Sequence, residues 1–130
     1  MSLRSPLGKV LGRGSAKQGV SHWWVQRVSA IALVPLTLWF AYQLVHLPLG
    51  DYDSVREWIA SGFNPAWLSL FISAVAVHSQ LGVQVVIEDY VPHKGAKVTA
   101  LLANTFLHIV VAVAGVYAVL RIAFTTLSAG

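Results

Sequence analysis

Three apolar stretches dominate the sequence, and each is long enough to cross a lipid bilayer. They cover about residues 23–47, 66–87 and 98–120, whereas a spanning helix needs about 20 predominantly apolar residues. Because lipid offers no hydrogen-bonding partner to the backbone, a segment that crosses the bilayer must satisfy its peptide groups internally. The sequence therefore predicts an all-α integral membrane protein with three transmembrane helices.

The composition agrees with lipid as the solvent and excludes several other classes of protein. Of the 130 residues, 56% are hydrophobic and 11% are charged, about half the charged share of a soluble domain. The length suffices for one domain, which we expect to cover residues 1–130. The chain has no cysteine, so it can form no disulfide, thiolate metal site or cysteine-ligated iron–sulfur cluster of its own.

The basic residues lie beside the apolar stretches and predict an orientation in the membrane, not a nucleic-acid interface. The N-terminal segment, residues 1–22, carries four of them: Arg4, Lys9, Arg13 and Lys17. The second connector carries Lys94 and Lys97, and the first only Arg56. The positive-inside rule therefore predicts a cytoplasmic N-terminus and an outside C-terminus. Residues 1–18 also resemble a transit peptide weakly, but the absence of an amphipathic stripe favours a basic cytoplasmic arm.

The two connectors differ in length and character. The first, residues 50–65, contains the pattern DYDSVREWIASGF, which favours a short interfacial helix with Trp58 at the lipid headgroups. The second, VPHKGAK, contains Pro92 and Gly95, which are typical of a turn. The second and third spans are therefore expected to be antiparallel neighbours.

The most informative string for chemistry is HSQLGVQVVIEDY at the end of the second span. Residues eleven apart on an α-helix return to within about 20° of one face, so His78, Gly82, Val85 and Asp89 are predicted to share a stripe. Gly82 leaves a groove beside the imidazole, which a flat cofactor such as haem would need. Asp89 and Tyr90 are expected about 17–18 Å further along the helix, at the cytoplasmic interface.

Each of these residues also has a simpler interpretation. An ionisable side chain near mid-membrane is a functional hypothesis, but from spacing alone a neutral, hydrogen-bonded His78 is the commoner outcome. A hydrogen bond to a neighbouring helix is likewise favoured for His46 and His108. The simpler interpretation of Tyr90 is an ordinary interfacial tyrosine. The simpler interpretation of Arg27 is a cation whose long side chain reaches the lipid phosphates.

Two blocks resemble a known family. The first is GSAKQGVSHWWVQRVSAIALVPL, residues 14–36, and the second is His78 with Gly82 and the Asp89-Tyr90 pair. Together with three spans in matching order, they make the chain similar to the small hydrophobic membrane anchor subunits of bacterial succinate dehydrogenase, the succinate:quinone oxidoreductase. The resemblance covers almost the whole chain.

The resemblance implies roles for particular residues and partners. His78 would be an axial ligand to the iron of a b-type haem, with the second ligand from a larger, cytochrome b-type anchor subunit. Arg27 would lie near the haem propionates, Tyr90 would hydrogen-bond ubiquinone, and Asp89 would lie beside that pocket. His22, in the first block, receives no role from the resemblance.

The resemblance further implies a non-catalytic subunit in the bacterial cytoplasmic (inner) membrane. Succinate would be oxidised on a flavoprotein subunit, and electrons would pass through an iron–sulfur subunit to ubiquinone. Two alternatives remain at this point. One is the anchor of a fumarate reductase, which runs the reaction backward, and the other is a structural membrane assembly protein without a cofactor.

Overall fold

The computed structural model describes residues 16–128, with side chains described from residue 19. This part of the chain forms four helices and no strand: α1 (Ala16–His46), α2 (Tyr52–Ala60), α3 (Asn64–Tyr90) and α4 (Lys94–Leu127). The long helices α1, α3 and α4 are each long and apolar enough to cross a membrane. The predicted all-α fold with three spans is therefore confirmed. Of the predicted arm, residues 1–15 lie outside the described residues, and the chain is helical from Ala16 onward.

The long helices extend beyond the apolar stretches from which they were predicted. The helix α3 begins at Asn64, where Pro65 occupies the first turn and its missing N–H has no partner to lose. It ends at Tyr90, because Pro92 disfavours the helical conformation of Val91, whose φ and ψ are −95° and 105°. The whole HSQLGVQVVIEDY segment is thus helical, including its polar end.

The predicted short helix in the first connector is present as α2. Asp51 caps it by accepting hydrogen bonds from the backbone N–H and the hydroxyl of Ser54, and these bonds lower the pKa of the Asp51 carboxyl. Arg56 Nε donates to Thr126 Oγ1 at 2.9 Å, which joins α2 to the end of α4. The indole of Trp58 stacks on Trp39 of α1, with ring centroids 6.1 Å apart.

The helix α3 lies in the middle of the bundle and packs against α4 on one side and α1 on the other. Within the described part of the chain, α1 does not pack against α4. Gly115 allows the close approach of α4 to α3, because a Cβ there would lie 3.1 Å from Ile72 Cγ2. Small residues have this role in many membrane helix pairs.

This arrangement leaves most side chains uncovered. Few residues from 19 to 128 are buried, and they lie along the contacts between neighbouring helices: Ser29, Leu36, Ala60, Leu68, Asn104, Val119 and Ala123. Large apolar side chains are exposed along all three long helices. Apolar surface of this extent is stable against lipid or against further protein.

Candidate functional site

An open cavity of about 780 Å³ lies between α1 and α3. Apolar side chains form part of its wall, and the remainder is polar. The polar lining residues are His22, Gln26, Arg27, His78, Gln84 and Glu88. The cavity thus brings together two residues predicted from the sequence, Arg27 and His78, with four polar residues that the sequence did not single out for this site.

His78 is half-buried and faces α1 through one ring nitrogen. Its Nδ1 atom lies 3.1 Å from the hydroxyl oxygen of Ser29, and the same hydroxyl lies 3.0 Å from the carbonyl oxygen of Gln26. Among the residues that the structure describes, none forms a hydrogen bond with Nε2 of His78. One nitrogen of a cavity-lining imidazole is therefore left for a ligand.

Charged and amide groups line the part of the cavity that extends toward the start of α1. The guanidinium carbon of Arg27 lies 5.3 Å from the ring centroid of Trp23, within cation–π range. Gln84 Nε2 donates to Glu88 Oε1 at 2.8 Å and lies 3.5 Å from Nδ1 of His22. The Oε1 atom of Gln26 is buried without a hydrogen-bond partner, an arrangement that costs free energy unless a further donor is bound.

The remaining predicted residues lie outside this cavity. Gly82 faces Gln26 of α1, and a Cβ added there would lie 3.9 Å from Gln26 Nε2, which is an ordinary contact distance. Asp89 and Tyr90 form the exposed end of α3, and the Tyr90 side chain is 81% exposed. A binding pocket around Tyr90 therefore needs walls from another molecule.

Of the other two histidines in the spans, His108 contacts a neighbouring helix as expected, whereas His46 forms a hydrogen bond within its own helix. His108 uses both ring nitrogens, Nδ1 at 2.8 Å from the Asn104 carbonyl oxygen and Nε2 at 3.1 Å from Ser79 Oγ. His46 Nδ1 lies 2.8 Å from the carbonyl oxygen of Tyr42. His78 differs from His108 in keeping one nitrogen open.

The number of metal-ligating side chains limits what this chain can hold alone. Within residues 16–128, no group of three or more histidine, aspartate or glutamate side chains is placed to hold a metal ion. His78 therefore offers a single ligand, which suits a metal whose other ligands come from a cofactor and a second protein. Ser29 and Gln26 were missed from the sequence, although both are polar residues in the block around Arg27.

A comparison of the whole chain with protein families settles its relationship. The Succinate dehydrogenase/Fumarate reductase transmembrane subunit family matches residues 1–120. The chain belongs to this family. This membership confirms the resemblance predicted from the two sequence blocks, and the chain is a multi-pass membrane anchor subunit of the succinate dehydrogenase type.

Several relatives carry the name succinate dehydrogenase hydrophobic membrane anchor subunit, and two of them illustrate the similarity. The protein from Rickettsia bellii (strain RML369-C) is 33% identical over 116 residues, which are 89% of this anchor subunit and 93% of the relative. The protein from Rickettsia conorii (strain ATCC VR-613 / Malish 7) is 31% identical over 116 residues, 88% of this anchor subunit and 92% of the relative. The similarity thus spans all three membrane helices.

Proposed function

We propose that this anchor subunit supplies His78 as one axial ligand to a b-type haem and Tyr90 as a hydrogen-bond donor to ubiquinone. The observation that carries the haem proposal is the open Nε2 of His78 in the cavity between α1 and α3. An imidazole ligates iron through an unprotonated nitrogen, and Nε2 is the nitrogen without a partner in the described residues. The second axial ligand would come from a larger, cytochrome b-type anchor subunit.

The residues present fit a haem. The cavity, about 780 Å³, is open along one side, as a group shared with a second subunit requires. Arg27 would hold a propionate carboxylate, and the buried Gln26 Oε1 would accept a hydrogen bond from a protonated propionate or from water. Gln84 donates a hydrogen bond to the Glu88 carboxylate, which satisfies one acceptor oxygen on that wall. A bound haem would store one electron near the path to the quinone.

Tyr90 and Asp89 are proposed to form this chain's share of the quinone site. The Tyr90 hydroxyl would donate a hydrogen bond to a quinone carbonyl oxygen and stabilise the negative charge that develops there during reduction. Asp89 would influence the local field and hydration beside that oxygen. The end of a spanning helix suits this role, because protons reach the reacting oxygen from water there.

The partners follow from what this chain lacks. It has no cysteine, so the iron–sulfur clusters that deliver electrons belong to another subunit. That iron–sulfur subunit is proposed to dock at the end of the bundle that holds Tyr90, with a flavoprotein subunit oxidising succinate beyond it. The anchor subunit itself would bind and orient, and would catalyse no reaction alone. The complex is proposed to lie in the bacterial cytoplasmic membrane, with this docking end inside.

The family description includes fumarate reductase, so the direction of the reaction is a separate question. Two relatives that match along most of the chain are named for succinate dehydrogenase, which favours succinate oxidation. The helices, His78 and Tyr90 would be the same in either direction, because direction depends on the potentials of the partners and the quinone. We therefore propose succinate oxidation, with fumarate reduction as the alternative.

A reduced-minus-oxidised visible spectrum of the purified complex tests the haem proposal. The wild-type complex is expected to show a low-spin spectrum of a haem with two histidine ligands. His78→Leu removes one ligand and is expected to abolish or change that spectrum. His46→Leu is the control, because His46 contacts its own helix at Tyr42. An unaltered spectrum in His78→Leu would refute the ligand assignment, and His108 would become the candidate ligand. A wild-type complex without any haem spectrum would favour a cofactor-free anchor.

A further inference from the structure

Ser29 joins α1 to His78 on α3, and its side chain is buried. It is 8% exposed, and its hydroxyl oxygen lies 3.1 Å from Nδ1 of His78 and 3.0 Å from the Gln26 carbonyl oxygen. A hydroxyl has one proton to donate and two lone pairs that accept. The way in which this single proton is shared determines the tautomer of the imidazole.

Only one tautomer of neutral His78 turns both contacts into hydrogen bonds. If Nδ1 carries the proton, His78 donates to Ser29, and the hydroxyl donates its own proton to the Gln26 carbonyl oxygen. If Nε2 carries the proton, the hydroxyl must donate to Nδ1, and its contact with the carbonyl oxygen is left without a proton. A buried polar group that lacks its hydrogen bond costs free energy in a low-dielectric interior. The tautomer with the proton on Nδ1 is therefore favoured.

We propose that Ser29 is a positioning residue that keeps the Nε2 lone pair of His78 directed at iron. This inference rests on the proposed ligation of haem by His78. The hydrogen bond to Nδ1 sets the tautomer and the ring orientation, and it makes the imidazole a better electron donor, as second-shell partners of metal-ligating histidines do. In this proposal Ser29 does not itself bind the iron.

His108 shows why a nearby serine alone does not produce such a site. Its Nδ1 faces the Asn104 carbonyl oxygen, which only accepts, so Nδ1 carries the proton. Its Nε2 then accepts a hydrogen bond from Ser79 Oγ, 3.1 Å away. Both histidines therefore have the same tautomer, but the lone pair of His108 is occupied. The serine at His78 lies on the opposite nitrogen and leaves the ligating one free.

Three variants of Ser29 in the intact complex test this inference. Ser29→Ala removes the hydroxyl, Ser29→Thr keeps it, and Ser29→Cys keeps the approximate size with a weaker hydrogen-bonding group. Ser79→Ala is the matched control, because it removes the equivalent contact at His108. The measurements are haem content per complex, the reduced-minus-oxidised spectrum and the midpoint potential of the haem. The His78→Leu complex is measured beside them.

Ser29→Ala is expected to weaken haem retention by about 10–100-fold, the usual effect of losing a second-shell partner. Haem that remains bound should have a higher midpoint potential, because a weaker donor stabilises ferric iron less. The rise is about 59 mV for each tenfold loss of preference for the ferric form. Ser29→Thr and Ser79→Ala should match the wild type, and Ser29→Cys should shift the potential upward even where alanine prevents assembly.

Distinct outcomes overturn this inference and the proposed function. Wild-type haem content and potential in Ser29→Ala or Ser29→Cys, with haem still lost in His78→Leu, would refute the role of Ser29 and leave His78 as ligand. Equal loss of haem in Ser29→Ala and Ser29→Thr would also refute it, because the hydroxyl would not be the cause. Haem that persists unchanged in His78→Leu would refute the proposed ligation, and the inference with it.

Discussion

Removing one hydroxyl group, in Tyr90→Phe, separates a quinone-binding role from a structural one. The side chain is 81% exposed, and its hydroxyl forms no hydrogen bond within the described part of the chain, so the change should leave the fold and assembly intact. If the hydroxyl pairs with a quinone carbonyl in the complex, its loss leaves that oxygen unpaired, at a cost of about 1–3 kcal/mol. Quinone reduction should therefore slow by roughly 5- to 150-fold.

Two assays on the same purified complex distinguish the possibilities. Succinate oxidation coupled to a soluble ubiquinone analogue should fall, whereas oxidation coupled to a dye that accepts electrons upstream should stay near the wild-type rate. Tyr117→Phe is the matched control, because Tyr117 is also exposed, on α4, and should leave both rates unchanged. Equal losses in both assays would make Tyr90 structural. An unchanged quinone rate would mean that its hydroxyl does not contact the quinone.

Three further predictions address orientation, packing and charge. Glu57→Cys and Gly95→Cys, made separately, test the topology in intact cells. The cysteine at position 57 should react with an impermeant thiol reagent, and the cysteine at position 95 should not. The reverse pattern would invert the orientation. Gly115→Ala should destabilise the solubilised complex by about 1–3 kcal/mol, because the added Cβ would lie 3.1 Å from Ile72 Cγ2. Gly95→Ala is the control, since a Cβ there would have no atom within 4 Å. An equal melting temperature in the two variants would refute the packing argument. Arg27→Gln should lower the midpoint potential of the proposed haem, because it removes a positive charge that favours the reduced form. For so exposed a group the free energy of reduction should change by about 0.2–1 kcal/mol. A redox titration of the haem measures the midpoint potential, and an unchanged value would place Arg27 away from the haem.

The long helices could be predicted well from the sequence because the length and hydropathy of a spanning segment are local properties of the chain and do not depend on how the helices pack. The short helix α2 was also predicted, from the pattern DYDSVREWIASGF in the first connector. The bounds were less accurate, since a helix that leaves the lipid continues until a residue such as Pro92 stops it. Residues 88–90 are helical for this reason, although they lie beyond the predicted span of 66–87.

The rotation of each helix about its axis was harder to predict. In a soluble protein a polar face indicates which side of a helix is exposed, but α3 is apolar on most of its surface and has lipid or protein around it. The sequence indicated His78 as a candidate ligand, and it gave no means of knowing that Ser29, 49 residues earlier, would contact it. The same limit applies to Gln26, whose buried oxygen depends on how α1 faces α3.

The position of α3 between the other two spans has a consequence for biogenesis. The side chains that line the cavity belong to α1 and α3, so both of its walls have been synthesised before the ribosome reaches α4. Between these two spans the chain forms the short α2, whose Trp58 stacks on Trp39 of α1. The half-site is therefore a unit of the first two spans, and the cavity, the proposed haem ligand and its contact with Ser29 all precede α4 in the chain.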